Sequence, residues 1–274
     1  MTRRRVASAL LHLVLVLGAV AALFPMFWMI SASLMPTGMA NTFPPALWPA
    51  HPTLQHYRDV FGRLAMGRYV MNSGVIALTV TAVSLVINAM AGYAFAKLRF
   101  RARDRVFRLL SAGLVVPVQV AMLPLFLLMK SLGLINTYWG VMIPTLASIF
   151  GIFLIRQYAV AIPDDLLDAA RIDGASELRI FRSIVVPTIT PILATLAIWT
   201  FLTTWNDFMW PLIVLTDSSR YTLPVALAGL VGEHAQDTEL MMAGSVLTVL
   251  PVLLVFLFLQ RYYVQGVMAG SVKG

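Results

Sequence analysis

Residues 162–191 read IPDDLLDAARIDGASELRIFRSIVVPTITP, a polar island between two long apolar segments. Pro163 suits the first turn of a helix, and Asp164 and Asp165 put negative charge at that helix's positive end. Leu166, Leu167 and Ala170 are expected to fall on one face at helical spacing, with Asp164, Asp165, Asp168 and Arg171 turned away from it. Gly174 stands where a helix stops and a left-handed residue costs least. Ser176 then caps a second helix, with Leu178, Phe181 and Val185 as its apolar stripe before Pro187. A helix over 163–172 is about 15 Å long, too short to be stable alone in water, so its apolar face must dock on something. Two surfaces are open to it: the chain's own body, or another subunit.

Working outward, the flanks are membrane-like. Of the 274 residues, 59% are hydrophobic and 12% charged, against roughly 25% charged in soluble domains. Residues 6–30, 71–96, 109–129, 132–155, 183–206 and 240–260 are each apolar and long enough to cross a bilayer as helices. None shows the short alternation of a membrane barrel. The expected fold is therefore an all-α membrane protein of six transmembrane helices, in a single domain over 1–274.

The net charge of +8 is arranged as topology rather than as a nucleic-acid footprint. With the N-terminus inside, the cytoplasmic segments hold Arg3, Arg4, Arg5, Lys97, Arg99, Arg101, Arg103, Arg105, Arg108, Arg156, Arg171, Arg179, Arg182, Arg261 and Lys273. Only Arg58, Arg63, Arg68, Lys130 and Arg220 fall on the other side. This positive-inside bias places both termini and residues 162–187 in the cytoplasm of a multi-pass membrane protein.

Several features remain structural on these grounds. Residues 1–5 and the run after them resemble a signal peptide with a cleavage-like Ala19-Val20-Ala21, but the apolar run continues to Ile30 and is expected to stay as the first span. Residues 31–70 form an outer loop expected to lie along the membrane against a neighbour. His51 and His56 in it lack partners at metal spacing, so no metal site is expected. Residues 97–108 are a short basic turn for which a topology anchor is sufficient. Asp217, Glu233, Asp237 and Glu239 make the loop over 212–239 acidic, and with His234 they are expected to be a solvated face. The absence of cysteine removes thiolate chemistry and disulfides.

The segment Asp168-Ala169-Ala170-Arg171-Ile172-Asp173-Gly174-Ala175, with Ile184 and Pro187 downstream, resembles the EAA loop of bacterial ABC-importer permeases. Asp168 stands where that family usually has Glu. Trp205-Asn206-Asp207 resembles the Trp-Asn-Asp segment of sugar-importer permeases, and the glycine-rich ending Arg261–Gly274 looks like the tail of the maltose-type second permease. The resemblance implies an ABC type I importer permease fold in which residues 162–187 carry a cytoplasmic coupling helix. Leu166, Leu167, Asp168, Ala169, Ala170, Asp173 and Gly174 would meet the ATPase. Asn88, Gln119, Trp205, Asn206 and Asp207 would border the translocation path.

The implied function is the permease subunit of an ATP-driven importer of a sugar or oligosaccharide. Its implied partners are a second permease in a heterodimer, an ATPase dimer and an extracytoplasmic solute-binding protein. The alternatives are an ion-coupled secondary transporter, a permease for a glycerol-phosphate-type solute, or a membrane scaffold. A phosphate loop needs Gly-Lys-Ser/Thr, and Lys97, Lys130 and Lys273, the three lysines present, all lack a preceding glycine. The chain is therefore expected to be no enzyme and to bind no cofactor, ATP and Mg residing on partner subunits. No catalytic constellation is present, and the ionisable residues of the spans are expected at their edges rather than in mid-membrane, where ion coupling would need them.

Overall fold

Pro117 produces the largest departure from a row of straight spans. A residue preceding proline is driven out of the helical region, and Val116 is extended at φ −78°, ψ 119°. The computed structural model describes residues 2–44, 46–233 and 237–271, with side chains for 6–44, 46–230, 237–258 and 260. Its helices are α1 (Thr2–Ser33), α2 (Gln55–Gly62), α3 (Met66–Lys97), α4 (Arg103–Ala112), α5 (Val118–Ser131), α6 (Tyr138–Met142), α7 (Ile149–Val160), α8 (Asp164–Ile172), α9 (Glu177–Ile180), α10 (Val186–Trp205), α11 (Met209–Val214), α12 (Leu223–Glu233) and α13 (Thr238–Ser271).

Among the described residues five helical stretches suffice to cross a membrane, and a sixth exists only if a bent pair counts as one span. That pair, Arg103–Val115 with Val118–Ser131, is bent by 109° at Pro117. The single straight span expected over 109–129 is therefore corrected to two helices meeting at a corner. The fourth span also shifts. Gly133 at φ 69° and Asn136 at φ 58° turn the chain, and the span runs over Tyr138–Val160 rather than 132–155. Thr137 and Ser148 cap its two helical parts, accepting from the backbone N–H of Gly140 and Gly151.

Two compact units divide the chain: Met1–Arg68 with Ala226–Leu250, and Tyr69–Val225 with Pro251–Gly274. In the first, no residue of the most apolar stretch of α1 is buried. Such a surface suits lipid or a neighbouring subunit. The outer loop that follows is held by specific bonds. The His56 ring donates from Nε2 to Met35 O at 2.9 Å, and Ser31 Oγ donates to Leu47 O at 2.6 Å. Glu239 is fully buried and accepts from Ala40 N at 2.7 Å. That corrects its expected place on a solvated face: the carboxylate at the start of α13 is buried, with Oε1 held by a backbone donor and Oε2 meeting no hydrogen-bond partner among the described residues. His234 lies outside the described residues, as do residues 272–274 of the glycine-rich ending, whose 261–271 continue α13.

The second unit is a helical body around α3, α7 and α10. Its core includes Ala89, Tyr93, Ile155, Ile162, Leu167, Ile189 and Leu196. Helices α3 and α7 cross closely enough that a Cβ on Gly92 would stand 2.5 Å from Ile155 Cγ2, and one on Gly151 2.5 Å from Asn88 Nδ2. Small residues at such a crossing let backbones approach in an apolar medium. From Glu177 to Trp205 the chain is one helical stretch with a π turn, Phe181–Val185, inside it. Pro187 cannot donate to the preceding turn, and the Val186 N–H reaches back five residues to Phe181 O instead.

Candidate functional site

The loop of residues 162–187 folds as the sequence predicts, with one difference in its faces. Helix α8 starts at Asp164, with Pro163 extended in the capping position. It ends on Gly174 at φ 78°. There Gly174 N donates to Arg171 O at 3.0 Å and Ala175 N to Ala170 O at 2.9 Å, the paired bonds of a Schellman stop. Ser176 caps α9 by accepting from Arg179 N.

Leu166 and Leu167 were expected on one face; only Leu167 is turned inward. Leu167 is 1% exposed in the core with Ala170 and Ala175 packed beside it. Leu166 is 48% and Ile172 87% exposed. Neighbouring positions on a helix are about 100° apart, so Leu166 shares its row with exposed Ala169 and Ile172 at i, i+3 and i+6. Helix α8 thus has both surfaces that the sequence left open, one turned to its own body and one uncovered.

Charged groups fasten this helix to the end of α3. Lys97 Nζ, its side chain 7% exposed, donates to Asp164 Oδ1 at 2.7 Å, to Ile162 O at 2.6 Å and to Val160 O at 3.1 Å. One turn earlier, Tyr93 donates its hydroxyl to Glu177 Oε2 at 2.8 Å. Glu177 Oε1 accepts from Arg171 Nε at 2.7 Å, and Arg171 also donates to Asp168 Oδ1 at 2.6 Å. Lys97 therefore grips the start of α8 directly, and Tyr93 reaches its end through Glu177 of α9 and Arg171. The hydrogen bond from Lys97, followed by its charge, holds the Asp164 carboxyl below its ordinary range. Hydrogen bonds to Glu177, then to Asp168, hold the Arg171 guanidinium above its own. Tyr93, Lys97 and Glu177 were not singled out from sequence for this role, because each meets a partner far along the chain.

A second site is a cleft of about 540 Å³ whose wall includes Ser148, Phe150, Trp199, Thr200, Thr203 and Asp207. The rings of Phe150 and Trp199 lie 5.6 Å apart at 47°. Thr203 Oγ1 donates to Trp199 O at 2.9 Å, leaving its lone pairs to accept. Aromatic faces beside hydroxyls and one carboxylate can bind a polyhydroxylated ring by stacking and hydrogen bonding.

The expected path residues divide. Asp207 lines this cleft and accepts from Trp210 N at 3.4 Å. Trp205 is buried and stacked on Phe201 at 5.8 Å, while Asn206 donates to Leu202 O at 2.8 Å. Gln119 is exposed between Val118 and Ala121, which line the cleft, without lining it itself. Asn88 is fully buried, donating to Ser84 Oγ at 2.7 Å and accepting from Ser148 N at 3.1 Å. It locks the α3–α7 crossing rather than facing a passage. The hydroxyl wall of α10 passed unnoticed because threonines in an apolar span commonly bond their own helix; its signal is the clustering of Thr200, Thr203 and Thr204 next to Trp199.

Comparison with known proteins agrees with this architecture. The family described as binding-protein-dependent transport system inner membrane component matches residues 88–269. The arabinooligosaccharides transport system permease protein AraQ of Halalkalibacterium halodurans is 37% identical, over 99% of this chain and 100% of its own. The lactose transport system permease protein LacG of Rhizobium radiobacter is 36% identical, over 99% and 98%. A chain of a bacterial ABC transporter involved in import of the acidic polysaccharide alginate superposes with a TM-score of 0.81 at 24% identity, covering 94% of this chain and 97% of that one.

Proposed function

The chain belongs to the family of binding-protein-dependent transport inner membrane components, and on that premise we propose that it is the permease subunit of an ATP-driven importer of a sugar or oligosaccharide. It pairs with a second, different permease, with both termini in the cytoplasm. An ATPase dimer holding ATP and Mg docks beneath, and an extracytoplasmic binding protein delivers the solute. The names of AraQ and LacG support the substrate class.

The observation that carries this proposal is the two-sidedness of α8. Its outer row of Leu166, Ala169 and Ile172 is uncovered, while Leu167 packs in the core, Lys97 ties the start of α8 to α3, and its end is tied to Tyr93 through Arg171 and Glu177. A force applied to the outer row by closing ATPases is passed to α3, whose Val80 also lines the cleft. The row Leu166, Ala169 and Ile172, together with Asp168, Asp173 and the stop at Gly174, forms the coupling surface. ATP can bias the two access states only through contacts that differ between them. In the cleft, Trp199 and Phe150 supply faces for a sugar ring, and Thr203 and Asp207 supply polar contacts.

The test is uptake by right-side-out vesicles holding the whole transporter with its binding protein, with labelled arabino-oligosaccharide, lactose and glycerol 3-phosphate offered separately. Uptake of a saccharide that follows internal ATP and survives collapse of ion gradients is expected. Uptake that vanishes with the ion gradient while ATP remains would support a secondary transporter. Preference for glycerol 3-phosphate would move the substrate out of the sugar class.

A further inference from the structure

The turn between α3 and α4 carries more charge than a topology anchor needs, and it carries it in one place. Arg99, Arg101, Arg103, Arg105 and Arg108 line a cleft of about 730 Å³ together with a single acid, Asp104. Arg103 answers Asp104 at 3.2 Å and donates to Leu98 O at 3.3 Å. Among the described residues the other four arginines form no ion pair. Helix α4 starts in the same cleft from Ala102 at φ 65°, with no side chain capping its first turn. The positive end of a ten-residue helix therefore adds to the arginines rather than offsetting them. A site with this balance is built for an anion.

The surroundings identify the anion's carrier. Phe100, Val106 and Leu109 are 44%, 41% and 76% exposed, so apolar surface lies beside the arginines. The helix Arg103–Val115 makes 109° with Val118–Ser131. If the latter runs near the membrane normal, the former lies close to the membrane plane. An amphipathic helix lying in the interface, basic on one side and apolar on the other, matches the boundary between headgroups and acyl chains. The turn also follows directly on α3, which ends at Lys97, at the level where a span meets lipid phosphates.

We propose that the α3–α4 turn is a binding site for the phosphodiester headgroup of an anionic phospholipid of the inner leaflet. Its sidedness rests on the orientation proposed above. The guanidiniums take the phosphate oxygens in bidentate fashion, and the acyl chains lie along Phe100, Val106 and Leu109. The adjoining cleft that holds Lys97, Asp164, Asp168, Arg171 and Glu177 shares Arg99 and Arg103 with this site. A bound headgroup therefore stands next to the ion pairs that fasten α8.

The test uses the full-length chain extracted in mild detergent and native mass spectrometry with phosphatidylglycerol or phosphatidylethanolamine added. Wild type is expected to retain phosphatidylglycerol selectively. Each arginine at an anionic membrane surface is worth about fivefold in affinity, so Arg101→Gln/Arg105→Gln should weaken retention by about twenty-fivefold. Arg108→Gln alone, which leaves the other four arginines to hold the topology, should weaken it by about fivefold. Thermal midpoints of both variants are measured so that loss of folding is not counted as loss of binding. Equal retention by wild type and folded variants overturns the proposal. So does displacement of the lipid by millimolar inorganic phosphate, which would make the site one for a free anion. Loss of ATPase association with lipid retention unchanged overturns it too, assigning the arginines to a protein contact. Labelling of Ser176→Cys from outside the cell would instead strike the proposed orientation while leaving the retained lipid in place.

Discussion

Gly174 and Ile172 probe α8 independently of each other. A Cβ on Gly174 meets nothing within 4 Å, so the cost of Gly174→Val is conformational, about 1–2 kcal/mol for a left-handed residue with a side chain. The protein should insert normally yet lose most sugar-stimulated ATP hydrolysis in the assembled transporter; full hydrolysis would remove α8 from the coupling path. Ile172 is 87% exposed, and Ile172→Glu should move the thermal stability of the isolated chain by no more than about 0.5 kcal/mol. Co-purification of the ATPase should nonetheless fail. Lys97 acts from the other side. Because the Asp164 carboxyl lies below its ordinary value of 3.8, its pairing with Lys97 is fully present above that value and is lost only as the pH falls beneath it. Limited proteolysis of the loop should be constant from about pH 8 to 5 and rise in stronger acid. Lys97→Met should leave the loop open at every pH, and an unchanged digestion pattern would deny the grip. The stop at Gly174 and the cap at Ser176 were legible in sequence because each is settled within a few residues. The partners that Asp164 and Glu177 find on α3 were not, since a charged side chain says nothing about which distant helix end will meet it.

At the scale of elements, the α3–α7 crossing is where bulk matters most. Gly92→Leu must displace Ile155, whose Cγ2 would lie 2.5 Å from the new Cβ, and should cost about 1–3 kcal/mol as overpacking. Gly18→Leu on α1, with nothing within 4 Å, serves as the control for the isolated chain. Equal thermal midpoints for the two variants would mean that the crossing is looser than described. Hydrophobic length located the helical spans, but it could not see the corner at Pro117 or the turn at Gly133 and Asn136. A window of apolar residues is blind to direction, and a proline within it reports only that regular hydrogen bonding is interrupted. The same limit explains Leu166 and Leu167. Adjacent leucines on a short helix lie about 100° apart, and spacing alone did not say which would be buried.

For the whole molecule, sidedness is the decisive measurement. Ser176→Cys and Ser218→Cys, both at exposed positions of a chain without cysteine, should label from opposite faces of the membrane. Labelling of both from outside would undo the six-pass arrangement and the cytoplasmic loop together. Architecture at this scale was legible because composition and charge bias act over the entire chain. The cleft was not, because its wall is assembled from α7, α10 and the segments around Pro117, which only folding brings together. The π turn at Phe181–Val185 links these two sites in a way that neither shows alone. A π turn amounts to one surplus residue in an α-helix, and each residue advances a helix by about 100°. The azimuth of the loop relative to the threonines of α10 is therefore indexed by a single amino acid. Excising one residue from that turn would keep every side chain of both sites and every span, yet leave transmission out of phase by more than a quarter revolution.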